Sequence, residues 1–198
     1  MGHSKAERAI NRERILSAAS MRIREAGLES LTVREVMKSV NLTQGGFYGH
    51  FASRADLIAA GLERALTEGE ESPALYTATH GSASVKSIVN SYLSPAHRDR
   101  SVNGCAISAL AGEVGRSDPQ VRAIMAEQLD RLIEIIAAAF GDAEQAEPFA
   151  EAAWATMIGG IVLSRVYADK ARADAVLAST RRAILDLEAL YKVRSQAN

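Results

Sequence analysis

The sequence predicts an all-α protein, and three observations carry this. Ala, Leu, Arg and Glu, which favour helix, are abundant, while proline occurs only four times in 198 residues. Aromatic residues make up 5%, and no run of alternating β-branched residues appears. Apolar residues recur at three- and four-residue spacing in long segments divided by short polar breaks. An apolar content of 47% is ample for a packed core and excludes wholesale disorder. The length suits one large domain, or a small one joined to a medium one.

The elements follow in order. A first helix is predicted over 7–26, where Ile10, Ile15, Ala18, Ala19 and Ile23 share one broad face and Gly27 supplies a stop. Thr32, with Glu35 three residues on, forms a capping box for a short helix over 33–39 that buries Val33, Val36 and Val40. Asn41 tolerates the positive φ of a tight turn, Leu42 packs inward, and Thr43 caps a second short helix over 44–50. Ser53, with Asp56 at the capping-box position, opens a helix that reaches Gly69. Residues 70–84 are rich in Ser, Thr, Gly and Pro and read as a loop, with a short helical piece around Leu75 and Tyr76. A helix over 85–93 is broken by Ser94-Pro95, and the polar stretch to Asn103 follows. Further helices are predicted over 105–114, 119–140, 147–168 and 172–193.

Several classes are excluded. The single cysteine, Cys105, rules out an intrachain disulfide framework and fits a reducing, cytoplasmic setting. The N-terminus is polar and charged, unlike a signal peptide, and Ala6 stands where a myristoylation motif needs Ser or Thr. The longest near-apolar run, 152–163, is too short to cross a bilayer. There is no Gly-rich phosphate loop, no Gly-x-Ser-x-Gly and no His-Glu-x-x-His. His3, His50, His80 and His97 are scattered, and no metal-ligand spacing links them with Cys105. An enzyme is therefore not expected, nor a metal or other cofactor, nor a membrane partner. The formal net charge is −1, but residues 1–66 carry ten Lys/Arg against seven Asp/Glu, while the remainder carries thirteen against seventeen. A basic head on an acidic body suits contact between the N-terminus and a polyanion.

Two short helices joined by about three residues have helix-turn-helix spacing, and the second would enter the major groove of double-stranded DNA. Gln44 sits at its start, where glutamine can pair with adenine or reach a phosphate. Gly45 and Gly46 cost helix stability but let backbone approach DNA closely. Thr43, Tyr48 and His50 can donate to phosphates, as can Thr32, Arg34 and Arg54; Tyr48 and His50 read equally well as ordinary surface groups.

The run Thr43-Gln44-Gly45-Gly46-Phe47-Tyr48-Gly49-His50-Phe51, followed by Ser53-Arg54 and Leu57, closely resembles the signature of TetR-family repressors. Upstream, Arg14-Ile15-Leu16, Ala18-Ala19, Gly27 and Thr32-Val33-Arg34-Glu35-Val36 fit the same pattern, so the resemblance covers residues 10–62. Met37, Asn41 and Gly46 depart from it, where a small alanine, a glycine, and Thr, Ser or Ala are usual. The resemblance implies that Phe47 packs into a three-helix DNA-binding domain over 1–52 while Tyr48 touches the DNA backbone. It further implies a connecting helix over 53–69, then an all-α ligand-binding and dimerisation domain over 70–198. The implied function is a transcriptional regulator, a repressor released from a palindromic operator by a small-molecule effector. The rival class, a helical enzyme or ligand carrier sharing only the helix pair, predicts no salt-sensitive DNA binding.

Within the C-terminal domain the candidate ligand-lining residues are Tyr76, Tyr92, His97, Cys105, Met125, Trp154 and Met157, each of which also reads as core or surface. Trp154 leads because its indole can stack on a flat ligand. The last two helices carry apolar stripes: Phe149, Ala153, Met157, Gly160, Ile161 and Ser164 on one, Val176, Ile184, Leu187, Leu190 and Tyr191 on the other. Met157, Gly160, Ile161, Ser164, Ile184, Leu187 and Tyr191 are the candidate contacts of a four-helix homodimer interface, unless the stripes face the chain's own core. Cys105 opens a predicted helix, where the dipole lowers a thiol pKa. A similar Gly-Cys segment occurs in family members that sense electrophiles, so an alkylation switch stands beside a buried small hydrophobe as its reading.

Overall fold

The structure is a computed structural model that describes residues 5–70, 83–100, 104–141 and 143–197. Its described residues form two compact units. One is drawn from Met1–Glu68 and Cys105–Met125, the other from Gly69–Gly104 and Ala126–Asn198. Among the described residues all regular structure is helical. The expected loop piece around Leu75 and Tyr76 lies outside them.

The first unit begins with α1 (Lys5–Ala26), which buries Ile15, Ala19 and Ile23. Ile10, expected on the same face, is exposed, because it lies on the first turns, beyond the packed stretch. Gly27 ends the helix at φ +85°, the left-handed region that glycine enters without strain. A 3₁₀ turn, Leu28–Ser30, follows, and then α2 (Val33–Ser39). Thr32 caps α2 as expected: its hydroxyl accepts from the Glu35 N–H at 3.3 Å and donates to the Glu35 carboxylate at 3.0 Å. Val36 and Val40 are buried, Val33 is half-buried, and Met37 is buried where the family pattern has a smaller residue. Asn41 takes φ +57° in the turn, and Leu42 is half-buried.

Helix α3 (Arg54–Glu70) packs closely on α1, where a Cβ on Gly61 would lie 3.3 Å from Ala19. Ser53 caps it through the Asp56 N–H at 3.1 Å. Arg24 on α1 reaches Glu68 on α3 at 2.5 Å, joined there by Ser20 at 3.1 Å and Arg64 at 2.7 Å. Burial alone would raise the Glu68 carboxyl, but the hydrogen bonds and charge of Arg64, Arg24 and Ser20 outweigh it and hold the group below its ordinary value.

Helices α4 (Val85–Tyr92) and α5 (Pro95–Arg98) belong to the second unit. The polar stretch after Ser94-Pro95 is therefore not all loop. Pro95 starts a short helix rather than only ending one, since Ser94 accepts from the His97 N–H at 3.1 Å. Helix α6 (Ala106–Val114) and the start of α7 (Pro119–Phe140) return to the first unit. There the Glu113 carboxylate accepts from the Leu28 N–H at 2.8 Å and crowds the place a Cβ on Gly27 would occupy. The chain then runs through α8 (Ala143–Val166) and α9 (Lys170–Ala197). These two helices pair along their lengths. A Cβ on Gly160 would fall 2.6 Å from Thr180 Cγ2, so the glycine permits the close crossing. Phe140, Phe149 and Tyr191 form an aromatic cluster at one end, with Phe149 and Tyr191 5.2 Å apart.

Candidate nucleic-acid interface

The segment after the turn, Gln44–Gly49, is a 3₁₀ helix where an α-helix was expected. Three of its six residues are glycine, which weakens the α-helical ladder. Thr43 precedes it in extended conformation but makes no side-chain cap, contrary to expectation. Phe47 anchors the segment. It is 1% exposed, stacked with Phe51 at 5.7 Å and edge-on to Tyr48 at 5.3 Å. Tyr48 points the other way and is 76% exposed. The division of labour implied for this aromatic pair is thus present as buried anchor and exposed ring.

Thr32, Arg34, Thr43, Gln44, Gly45 and Gly46 are also exposed, and His50 is half-buried. A Cβ on Gly45 or Gly49 would meet nothing within 4 Å, and neither backbone takes positive φ. Neither the fold's packing nor its backbone requires glycine at these two positions.

Arg54 is placed differently from the phosphate donor that was expected. Its guanidinium donates to the carbonyls of Leu31 at 2.7 Å, Leu28 at 3.3 Å and Glu29 at 3.2 Å. It fastens α3 to the turn that leads into α2, adding to the single Leu31 N–H bond that the Leu28 carbonyl already accepts within the turn. Two arginines of α1 that were not among the candidate site residues have related roles. Arg14 donates to the Val40 carbonyl at 2.6 Å, and Arg12 lies 4.4 Å over the Phe51 ring while reaching the His50 carbonyl at 3.4 Å. The sequence signal for Arg12 was charge on a helix face, while Arg14 stands in the run that fits the TetR pattern.

Of the candidate ligand-lining residues, Tyr92, His97 and Trp154 come together in the second unit. The Tyr92 ring is 4.4 Å from His97 and 5.0 Å from Trp154. Met157 is buried in the same unit, whereas Cys105 and Met125 are buried in the first, and Tyr76 lies outside the described residues. His97 Nδ1 is 2.6 Å from the Tyr92 carbonyl oxygen. Burial, with the positive charges of Arg165 and Arg100, lowers the imidazole pKa to about 4 against the opposing pull of that carbonyl. His97 is therefore neutral near pH 7.

The expected dimer contacts also need correction. Met157, Gly160, Ile161, Ser164, Ile184 and Tyr191 are buried within the chain, and Leu187 is half-buried. Gly160 faces Thr180 across the crossing of α8 and α9 and Tyr191 packs on Phe149, and burial leaves these residues, apart from Leu187, no surface for a second copy. Exposed apolar residues remain on the same helices: Ala155, Val162, Leu163 and Val166 on α8, and on α9 Ala175, Ala178, Ala183, Leu190 and Val193, interspersed with exposed Asp174, Arg182 and Asp186. Helix α8 is apolar on two sides, so 145–166 is long and apolar enough to cross a membrane, unlike the shorter run read from the sequence.

A short helical segment presented to solvent across a tight turn, on a basic N-terminal region, defines a helix-turn-helix DNA reader. The family model described as bacterial regulatory proteins of the tetR family matches residues 15–60, and that of the tetracyclin repressor-like C-terminal domain matches residues 81–180. The chain belongs to the TetR family of transcriptional regulators, which are DNA-binding proteins and not enzymes. It is 29% identical over 149 residues to the HTH-type transcriptional regulator UidR of Escherichia coli (strain K12), covering 73% of this chain and 72% of that one. A TetR transcriptional regulator from Chloroflexus aurantiacus J-10-FL has the same fold, with TM-score 0.75 and 21% identity over 91% of this chain and 96% of that one. So has a TetR-family regulator from Cytophaga hutchinsonii, at TM-score 0.72 and 20% identity over 96% and 97%.

Proposed function

We propose that the chain is a homodimeric, cytoplasmic repressor that binds a palindromic operator and is released by a small-molecule effector. The observation that carries the DNA half of this reading is the exposed Gln44–Gly49 segment, held on the buried Phe47 with Tyr48 76% exposed. Gln44 reads an adenine edge or a phosphate, while Gly45 and Gly46 let backbone approach the duplex. Thr32, Arg34, Thr43, Tyr48 and His50 supply phosphate contacts. Arg12, Arg14 and Arg54 hold these groups in register.

Two readers one helical turn apart need a twofold axis. The exposed apolar residues of α8, with those interspersed among the charges of α9, supply the surface for the second copy. Gly159, over which a Cβ would meet nothing within 4 Å, allows backbone approach there. The effector binds beside Tyr92, His97 and Trp154, moves α3, and lowers operator affinity by favouring the conformation unable to bind DNA. The test is selection of bound fragments from a genomic DNA pool at two salt concentrations. A recovered short palindrome, bound less tightly as salt rises, supports the dimeric reader. The absence of any enriched sequence, in the presence or absence of cell extract as an effector source, argues against it.

A further inference from the structure

A cavity of about 350 Å³ lies within the first unit, walled by the reader on one side and by the end of α6 and the start of α7 on the other. It is separate from the place beside Tyr92, His97 and Trp154, which belongs to the second unit. Ligand pockets span roughly 300–1,000 Å³, so this one suits a single-ring ligand. Its apolar wall is Leu28, Ile58 and Val121, all buried. Its charges are unequal. Three carboxylates, Glu29, Glu113 and Asp118, line it against two guanidiniums, Arg54 and Arg116. Arg54 and Glu29 answer each other at 3.4 Å. Arg116 and Asp118 are exposed, so water screens both. Glu113 is half-buried, and among the described residues its carboxylate takes one hydrogen bond, from the Leu28 N–H, and no ion pair. It also stands in the last turn of α6, where the negative end of the helix dipole adds to its own charge. The cavity therefore holds a half-buried negative charge without a counter-charge, beside an apolar wall.

We propose that this cavity is a second ligand site, taking a small planar organic cation, an amidinium or guanidinium on an apolar ring, with its charge on Glu113. Two parallel N–H groups match the two oxygens of a carboxylate, and the ring covers Leu28, Ile58 and Val121. A neutral ligand gains only the apolar contact, and an anion meets the repulsion of Glu113. The site bears directly on the reader. Glu113 Oε2 already accepts from the Leu28 N–H at 2.8 Å, so a cation that takes both oxygens competes with that bond. The Leu28 carbonyl is held by Arg54, and the turn it belongs to leads into α2. Occupancy thus loosens the start of the helix-turn-helix and lowers DNA affinity, which rests on reading this segment as the DNA reader.

The test is calorimetric titration of the full-length protein with benzamidinium, neutral benzamide and benzoate, which share one ring and differ in charge. Benzamidinium should bind saturably, with benzamide and benzoate weaker by about tenfold or more. Glu113→Gln keeps an acceptor for the Leu28 N–H but drops the charge, and it should bring benzamidinium down to the affinity of benzamide. Ala55→Trp sets a large ring into the cavity from an exposed position and should also weaken benzamidinium, which decides the matter if Glu113→Gln does not fold. No saturable response to benzamidinium, equal binding of benzamidinium and benzamide, or unchanged benzamidinium affinity in either variant overturns the proposal. DNA binding is followed in parallel. Benzamidinium should weaken it in the native protein and not in Glu113→Gln. Release that persists in Glu113→Gln overturns the site, and Glu113-dependent binding that leaves DNA affinity unchanged overturns its control of the turn. Failure to bind any DNA fragment, with benzamidinium binding intact, overturns the operator reading and leaves the cation site standing.

Discussion

Lowering the pH from 7 to 5 protonates an exposed histidine but not one buried like His97, and the difference appears as lost stability. His97 has its pKa pushed from an ordinary 6.5 to about 4, first by burial and then by the charges of Arg165 and Arg100. The unfolded chain therefore binds the proton more readily, so stability must rise with pH between about 4 and 6.5. The full gap corresponds to about 3 kcal/mol. At pH 5 the unfolded imidazole is almost wholly protonated and the folded one only about a tenth so, which makes the loss relative to pH 7 about 2 kcal/mol. For a chain of this size that is a fall in Tm of roughly 5 °C. Glu68 and Asp99 do not confuse the window. They are held below ordinary values of 4.5 and 3.8, so the stability they contribute is lost only as the pH falls further. The assay is urea unfolding between pH 5 and 7, read by Trp154 emission and by helical circular dichroism. H97N, lacking the titrating ring, should retain less than half of the native pH dependence. The same slope in both proteins would refute the assignment.

Three further outcomes follow from the geometry. Arg34→Ala should weaken operator binding uniformly across sequences and reduce the salt slope by about 0.9 if it holds one phosphate, while Tyr48→Ala should weaken binding with Tm unchanged, as checked by fluorescence anisotropy and melting. Val162→Glu on the exposed face of α8 should convert dimer to folded monomer in sedimentation, whereas Met157→Glu, which buries a charge, should unfold the second unit. Gly160→Ala should cost about 1–3 kcal/mol by collision with Thr180, and the double variant Gly160→Ala/Thr180→Ala should recover most of it, measured by denaturant unfolding.

Local chemistry was the most legible part of this chain. Thr32 with Glu35 announced a cap, and Asn41 announced a left-handed turn. Each depends on atoms within a few residues. Features that depend on distant residues were not legible. Arg54 reads as a surface cation until Leu28, Glu29 and Leu31 bring carbonyls to it. The seam of α8 and α9 was misjudged for a related reason: α8 is apolar on two faces, and periodicity marks faces without saying which one a neighbour takes. Likewise, nothing near His97 in sequence announces that Trp154 will share its tyrosine.

The Glu113 contact at the Leu28 turn bears on how such proteins can be recombined. The inherited domain that the second family model recognises, residues 81–180, contains α6, yet α6 is built into the same compact body as the DNA reader. A graft of residues 1–69 onto another sensor would leave the Leu28 amide without its carboxylate unless the new host supplied one. Hybrids that also carry residues 105–125 should be the ones that fold as readers. In this molecule the unit of heredity and the unit of packing are cut at different places.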